Sequence, residues 1–310
     1  MTRLTGTKVL IGPSSFGETD PLPIDRLIEN GCEVIENPFK RKLAKEELTK
    51  LLEGGVSGLI AGLEPLDREV LQKSRLKVIS RCGSGLSNVD LDAARELGIE
   101  VYATPSGPTA AVAELTLGAI LSLLRMIPLM DRDLHEGRWI KRIGVQLGGK
   151  TVVVVGYGLI GRRVAALLVS FGARVLAVDP HLTTGEVDVP LVTLGQALPQ
   201  ADVLCLHCSG DGRILGAREL DRLKPGAYVL NAARGGLIEE AALLEGLRVG
   251  RIAGAWLDTF ECEPYDGPLA ARPNVLLTPH VGSYTRECRA RMEVEAVENL
   301  ISALVRIRNI

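Results

Sequence analysis

The chain has 310 residues, of which 46% are hydrophobic and 24% charged, a composition that can bury a core without disulfides. This length fits two domains of ordinary size better than one. The formal net charge of −2 lacks the basic excess that nucleic acids and anionic membranes attract. We therefore predict neither of those partners and expect a small-molecule ligand.

Cysteine usage and the start of the chain point to a reducing compartment. The six cysteines are scattered, and the opening MTRLTGTKVL lacks the basic region and apolar core of a secretory signal. Reduced thiols and a cytoplasmic location are expected. Cys205 and Cys208 have no second pair nearby, so no metal is predicted. The longest apolar run, LGAILSLL, is too short for a bilayer and predicts a buried helix.

Short β-rich runs alternate with helical segments through the first hundred residues. In chain order these are KVLIG and PIDRLIENG, CEVIENP and AKEELTKLLEGG, GLIAG and REVLQKSR, KVISRCG and DLDAARELG, then IEVYAT and AAVAELTLGAILSLLRMI. Alternation of this kind predicts a parallel sheet with helical crossovers. The basic cluster KRKLAK runs into EELTK with i,i+4 charge pairs, which indicates a solvated helix face rather than a phosphate site.

A second series of the same kind begins at Lys150. Its strands and helices, in order, are TVVVVG, GRRVAALLVSFG, RVLAVDP, DVLCLHC, AYVLNAARG, EEAALLEGLRVG, GAWLDTF and NVLLTPH. The last segment, TRECRARMEVEAVENLISALVR, is helical by its periodicity. The sequence therefore predicts two α/β units and a closing helix that could pack on either.

The stretch GYGLIG, from Gly156 to Gly161, opens the second series and fits a dinucleotide-binding loop. It directly follows a buried strand and begins a helix, whose N-terminus favours phosphates. Gly158 would permit close approach of a pyrophosphate, and Gly161 would let the helix pack on the sheet. Asp179 ends the next strand, 179 − 161 = 18 residues later, where a carboxylate accepts the ribose hydroxyls. Because it would repel a 2′-phosphate, we predict NAD rather than NADP.

A hydride-transferring enzyme must add a substrate anchor and a proton donor beside the cofactor. Of the four histidines, His135 and His181 are interpreted as surface or cofactor-edge residues. His207 and His280 each end a predicted strand, and strand C-termini face the ligand crevice of a parallel sheet.

Two further charged residues follow neighbouring predicted strands. Arg234, in NAARGG, could hold a substrate carboxylate bidentately. Glu263, in DTFECEP, would orient the His280 imidazole and favour its protonated form if the two meet. Taken singly, each of the three also fits a structural role: a surface salt bridge, a helix N-terminus or a satisfied buried histidine.

Taken together, these residues resemble the D-isomer-specific 2-hydroxyacid dehydrogenase family, which includes phosphoglycerate, glyoxylate/hydroxypyruvate and D-lactate type enzymes. The shared motifs run in order along the chain: RCGSGLSNVDL, AVAELTLGAIL, EGRW, GYGLIG, NAARGGLIEEAAL, LDTFECEP and TPHVGS. The family's catalytic trio falls on Arg234, Glu263 and His280. The resemblance also implies that Ser84 and Gly85 offer backbone donors to the substrate carboxylate.

The same resemblance implies an NAD site that extends beyond the glycine loop. Asp258 would meet the nicotinamide carboxamide. The remaining residues expected around the cofactor are Leu159, Ile160, His207, Cys208, Ala232, Ala233 and Gly282.

The implied fold is α/β, with two Rossmann-like doubly wound parallel-sheet domains. A flavodoxin-like substrate-binding domain would comprise residues 1–101 and the returning helix of 283–310, and the NAD-binding domain would be inserted as 102–282. Related enzymes pair as homodimers through the cofactor domain, so the apolar helix after Ala111 is the expected seam.

Two features depart from the family pattern. Where relatives follow the His207 position with a Pro-Leu-Thr-like loop, this chain reads CSGDGRILG, which puts the adenine-side contacts in doubt. Gly62 stands where phosphoglycerate enzymes tend to carry an arginine for the phosphate. Phosphoglycerate is therefore a less favoured substrate, although another basic residue could serve.

The expected activity is interconversion of a small D-2-hydroxy acid and its 2-keto acid with NAD. A related class, formate or phosphite oxidation, is the second hypothesis. Formate enzymes that resemble this family carry Gln where Glu263 stands, which argues against formate and leaves phosphite or another unusual small acid. A non-catalytic NAD(H)-sensing regulator of the same fold is the third hypothesis, although such proteins generally carry extra tails.

Overall fold

The computed structural model describes residues 4–105, 107–210 and 212–309. Contacts divide the chain into two compact units. The first unit holds the residues up to Pro108 together with those from Ser283 onward, and the second unit holds Thr109–Gly282. The predicted outer segments, 1–101 and 283–310, include residues 1–3 and 310, which lie outside the described residues.

In chain order the described strands are β1 Thr7–Ile11, β2 Cys32–Glu36, β3 Gly58–Ala61, β4 Val78–Arg81, β5 Glu100–Ala103, β6 Thr151–Val155, β7 Arg174–Val178, β8 Val203–Leu206, β9 Ala227–Asn231, β10 Ile252–Leu257 and β11 Val275–Leu277. The described α-helices are α1 Leu22–Glu29, α2 Lys45–Leu52, α3 Arg68–Lys73, α4 Leu91–Glu96, α5 Pro108–Leu124, α6 Ile127–His135, α7 Leu159–Ser170, α8 Leu194–Ala197, α9 Ala217–Leu220, α10 Glu240–Arg248 and α11 Arg286–Arg308.

The first unit is built on a parallel sheet with the strand order β2-β1-β3-β4-β5. This is the flavodoxin-like order of a doubly wound sheet. The closing helix α11 packs against β3, β4 and β5, and Gly58 makes the contact close. A Cβ on Gly58 would lie within 3.2 Å of the Leu300 and Leu304 side chains.

The predicted crossing between residues 101 and 102 is too early. It would cut β5, which pairs along its whole length with β4, from Val78↔Glu100 to Arg81↔Ala103. The division of contacts falls after Pro108 instead, where α5 begins. The return crossing lies between Gly282 and Ser283.

The second unit is built on a parallel sheet with the order β11-β10-β9-β8-β6-β7. The strands of a Rossmann sheet, numbered along the chain, lie in the order 3-2-1-4-5-6 across the sheet. In this numbering β6 is strand 1, β7 is strand 2 and β8 is strand 4. The place of strand 3 is filled by a single parallel bridge, Ala177↔Leu191, instead of a strand. The TVVVV run forms β6 at the sheet's interior, with all five residues buried, as its uninterrupted apolar pattern predicts.

Helix α5 carries the longest apolar run and buries one face in the core of the second unit. Ala113, Ile120 and Leu124 pack in one cluster with Val152 and Val164. Within the described residues no single helix has both the length and the apolar character needed to cross a bilayer. Helices α5 and α6, bent by 65° at their junction, meet that test of length and composition only as a pair.

Candidate active site

The glycine loop between β6 and α7 has the three backbone properties that a dinucleotide cradle requires. Gly156 has φ +89°, and a Cβ there would lie 2.4 Å from the Cys208 amide nitrogen. A Cβ on Gly158 would point into open space, so this backbone is accessible to a ligand. A Cβ on Gly161 would lie 2.0 Å from the Gly156 carbonyl oxygen, so only glycine allows the helix to approach the strand.

Helix α7 begins at Leu159, directly behind the open Gly158 position. The first N–H groups of a helix have no partner within it, and its dipole is positive at that end. The amides of Leu159, Ile160 and Gly161 therefore belong to an end of the helix that suits a phosphate.

Asp179 lies just after β7 and faces the glycine loop. Its Oδ2 accepts a hydrogen bond from the Tyr157 amide at 2.9 Å, and its Oδ1 accepts one from the His181 amide at 3.0 Å. Two backbone donors thus fix the carboxylate in one orientation. Each carboxylate oxygen can accept a further hydrogen bond.

Tyr157, the variable residue inside the glycine motif, connects the loop to the segment that follows β7. Its buried hydroxyl group donates to Asp188 Oδ1 at 3.0 Å, and the Arg162 guanidinium lies 4.9 Å from its ring centroid. Burial, assisted by the Asp188 bond, raises the pKa of Tyr157 to about 12. The sequence analysis missed this residue, because the motif specifies only the glycines.

Arg234 lies in the loop after β9, which Asn231 organises from the strand end. The Asn231 side chain donates to the Arg234 carbonyl at 2.7 Å and accepts from the Ala233 amide at 3.0 Å. A Cβ on Gly235 would lie only 1.8 Å from the Phe260 carbonyl oxygen. The loop after β9 therefore rests directly on the loop after β10, which carries Glu263.

Glu263 and His280 meet, which is the condition under which the sequence analysis expects Glu263 to orient the imidazole. The His280 Nδ1 lies 3.0 Å from Glu263 Oε2 and 3.2 Å from Oε1. The Phe260 amide donates to Glu263 Oε1 at 3.1 Å, which fixes the carboxylate from its other side. Both side chains are partly exposed, so the imidazole can reach a ligand.

His280 has φ +55°, in the left-handed region that non-glycine residues seldom occupy. Asp258, which is buried at the end of β10, holds this turn in place. Its carboxylate accepts the Thr278 hydroxyl at 2.6 Å, the Val281 amide at 2.9 Å and the Gly282 amide at 2.8 Å. Strain of this kind persists where the surroundings over-determine it. The Asp258 carboxylate thus holds the Thr278 side chain before His280 and the backbone after it.

His207 lies one residue beyond the end of β8, and both of its ring nitrogens are buried. Burial lowers the pKa of His207 to about 4, so the imidazole is neutral near neutral pH. Burial first, and then the charge of Asp179, raise the pKa of the Cys208 thiol. Of the unusual loop 208–216, Asp211 lies outside the described residues.

The predicted site residues are divided between the two units. Ser84 and Gly85 belong to the first unit, in the loop after β4, and the others belong to the second unit. Ala232 and Ala233 precede Arg234 in its loop, and Gly282 receives the Asp258 bond. Among the described residues, no group of three or more His, Cys, Asp or Glu side chains could hold a metal ion.

The fold and this geometry define a dinucleotide-binding α/β protein with a carboxylate–histidine pair beside the cofactor sheet. Residues 117–282 match the model of the D-isomer specific 2-hydroxyacid dehydrogenase NAD-binding domain. A hydroxypyruvate reductase of Thermotoga maritima is 33% identical over 272 residues, covering 84% of this chain and 89% of that protein. The chain therefore belongs to the D-isomer specific 2-hydroxyacid dehydrogenase family, which confirms the family and the fold predicted from the sequence.

Other relatives differ in length. A D-3-phosphoglycerate dehydrogenase of Archaeoglobus fulgidus is 34% identical over 290 residues, which cover 90% of this chain but 54% of that enzyme. The chain thus spans about half the length of the phosphoglycerate dehydrogenases it matches. A crystal structure of a Paecilomyes thermophila glyoxylate reductase superposes with a TM-score of 0.86 at 28% identity, covering 96% of this chain and 95% of that one.

Proposed function

We propose that the protein is an NAD-dependent oxidoreductase that interconverts a small D-2-hydroxy acid and its 2-keto acid. The observation that carries this proposal is the Glu263–His280 pair at the carboxyl edge of the NAD-binding sheet, held by Phe260 on one side and by Asp258 on the other. A partly exposed imidazole fixed by a carboxylate is suited to proton transfer at the substrate.

In the reduction direction each member of the trio has a distinct role. Arg234 binds the substrate carboxylate and polarises the ketone, because a guanidinium offers paired donors in a fixed plane. His280 donates the proton to the forming alkoxide, and Glu263 orients the ring and stabilises the imidazolium. NADH, when bound, supplies the hydride.

The residues around the glycine loop fit this cofactor. The open position at Gly158 and the amides of Leu159 and Ile160 would hold the pyrophosphate, and Asp179 would accept the adenosine ribose hydroxyls. The further residues that we propose to line the cofactor are His207, Cys208, Ala232, Ala233, Asp258 and Gly282.

The surroundings of Gly62 favour a small substrate without a phosphate. Gly62 offers no basic side chain to a phosphate, and its Cβ position lies 2.9 Å from the carboxyl group of the buried Glu64. Glu64 also accepts the Gly62 amide at 2.8 Å. We therefore favour a glyoxylate- or hydroxypyruvate-like substrate over a phosphorylated one.

The direct test is NADH oxidation with glyoxylate, hydroxypyruvate, pyruvate, oxaloacetate, bulkier 2-keto acids and phosphohydroxypyruvate, with NADPH in parallel. Preference for a small unphosphorylated acid is the expected result, and preference for phosphohydroxypyruvate would contradict the substrate class. Reduction of NAD by phosphite, with no turnover of any keto acid, would favour the phosphite alternative. NADH binding without turnover of either class would favour the regulator.

Asp179 should determine the preference for NADH over NADPH. We expect Asp179→Asn to weaken NADH use roughly tenfold and to raise NADPH use, because the substitution removes the charge that binds ribose hydroxyls and repels a 2′-phosphate. The measurement is kcat/KM for each cofactor at a fixed keto acid concentration. Asp188→Asn is the control, since that exposed carboxylate contacts Tyr157 and Arg162 instead; an unchanged cofactor ratio in Asp179→Asn would refute the role.

We further propose a homodimer that forms through the NAD-binding domain. Because one face of α5 is buried in its own core, we extend the expected seam to the segment 139–145, where Trp139 is 80% exposed and Ile143 is 93% exposed. Asp133 accepts hydrogen bonds from both Arg138 and Arg142, and these bonds hold the segment in place. Large apolar side chains on an ordered segment are typical of an interface.

Light scattering after size-exclusion chromatography tests this interface. The parent protein is expected to run as a dimer, and the double variant Trp139→Ser, Ile143→Ser as a monomer. Leu97→Ser, at an exposed apolar position in the first unit, should leave the dimer intact. A double variant that remains dimeric would place the seam elsewhere.

We also propose a cytoplasmic location. It is supported by six free cysteines, four of them buried, which suit a reducing compartment. Fractionation of source cells, with NADH-dependent activity as the marker, tests it.

A further inference from the structure

The loop after β4 is fastened to the strand end of β5 by one threonine. Thr104, whose side chain is fully buried, follows β5 directly. Its hydroxyl oxygen accepts a hydrogen bond from the Gly83 amide at 2.7 Å. In return, the Thr104 amide donates to the Gly83 carbonyl at 3.0 Å. Both polar groups of the Gly83 backbone are therefore bound to a single residue.

Arg81 forms a second contact with the same loop. Its guanidinium is buried and donates to the Cys82 carbonyl oxygen. Gly83 has φ +146°, and a Cβ on it would lie 1.6 Å from the Arg81 Nη1, so glycine is required here. The backbone before Ser84 is consequently fixed at three successive polar groups, one on Cys82 and two on Gly83.

The next two amides have a different environment. Ser84 is exposed and Gly85 is partly exposed. Within the described residues neither N–H donates to a protein acceptor. Consecutive backbone N–H groups that share one direction form a concavity suited to an anion.

We propose that Thr104 is a positioning residue that holds the Ser84 and Gly85 amides in register for the carboxylate of the keto acid. This inference rests on the proposed function and on the carboxylate contact that the family resemblance implies for these two amides. Thr104 does not touch the substrate; it acts through Gly83. Its hydroxyl oxygen is the atom that matters, since any residue other than proline at this position keeps the backbone half of the clamp.

Thr104→Val and Thr104→Ser form a matched pair for the kinetic test. Valine keeps the volume of threonine but leaves the Gly83 amide without its acceptor, whereas serine keeps the acceptor. We expect Thr104→Val to raise KM for the preferred keto acid about tenfold, with KM for NADH unchanged, because misplaced donors weaken carboxylate binding. Thr104→Ser should stay within roughly twofold of the parent, since its acceptor is retained.

Inhibition by oxamate, an unreactive carboxylate analogue, adds a reading that does not depend on catalysis. Its inhibition constant against the keto acid should rise in Thr104→Val by the same factor as KM. Equal KM values in the valine variant and the parent would overturn the inference. So would equal losses in the valine and serine variants, or a parallel rise in KM for NADH, because either result indicates a general structural effect.

Amide hydrogen exchange tests the clamp without any turnover. The Gly83 amide should exchange slowly in the parent and in Thr104→Ser, and much faster in Thr104→Val. If no keto acid is reduced by the parent, the proposed function fails, and exchange still reports on the clamp. If the parent is active and Gly83 exchange is the same in all three proteins, the clamp alone is refuted. Should Thr104→Val not fold, Thr104→Ala serves as the variant without an acceptor.

Discussion

Replacing His280 with asparagine is expected to lower kcat by about 10²–10⁴-fold, the usual contribution of a positioned general acid. Asparagine is the appropriate substitution because His280 has φ +55°, and asparagine tolerates this region better than alanine or glutamine does. The Asp258 bonds to the following amides can then persist, so the loss reports on the missing imidazole and not on a collapsed turn.

NADH binding, followed by the fluorescence of the cofactor, should be unchanged in His280→Asn. His135→Asn provides the matched control, since that side chain is 81% exposed and contacts Asp131 on its own helix. It should retain parental turnover. Parental turnover in His280→Asn with the preferred keto acid would remove His280 from the mechanism and leave Glu263 without its proposed task.

Replacing Arg234 with lysine is expected to lower kcat/KM for the keto acid on the order of 10²–10³-fold, although the positive charge is kept. Lysine cannot offer two parallel donors to a carboxylate, and it loses the bond from Arg234 Nη1 to the Ala233 carbonyl at 2.7 Å. Most of the loss should be in KM for the keto acid, with KM for NADH unchanged.

Arg248→Lys is the control for Arg234→Lys, because Arg248 is exposed and pairs with Glu245 within α10. Addition of guanidinium to Arg234→Ala gives a second reading, since a free guanidinium can occupy the vacated space. Partial recovery of turnover is the expected result. An Arg234→Lys variant with parental kcat/KM would mean that another group binds the substrate carboxylate.

Much of the fold could be predicted from the sequence because its signals are local. Short β-branched apolar runs such as TVVVV, bounded by glycine and followed by helical periodicity, favour buried parallel strands. The spacing from Gly161 to Asp179 follows from one helix and one strand, so it could be predicted before the sheet was known.

The bonds that fix the site could not be predicted, because they join residues distant in sequence. Asp258 binds the amides of Val281 and Gly282, and Gly235 lies against Phe260, although no periodic pattern relates these positions. The predicted end of the first segment of the first unit was also wrong. The strand in IEVYAT belongs to this unit because it pairs with β4, and that tertiary contact could not be predicted from the local sequence. The resemblance predicted a catalytic trio, and the contacts that support its geometry depend on loops whose conformation is set by packing.

The missing third strand of the cofactor sheet has a consequence for how readily this protein can change its cofactor. The segment between Asp179 and Leu191 pairs with the sheet edge through a single bridge and is otherwise held by side-chain bonds such as those from Tyr157 to Asp188 and from Arg162 to the Glu186 carbonyl, so it can open locally at less cost than a strand with a full ladder. Insertions or exchanges in this segment need not disturb the β6–β7 pairing. This segment follows Asp179, which we propose to bind the adenosine ribose, so grafting the segment from relatives should alter cofactor choice while the rest of the sheet folds as before.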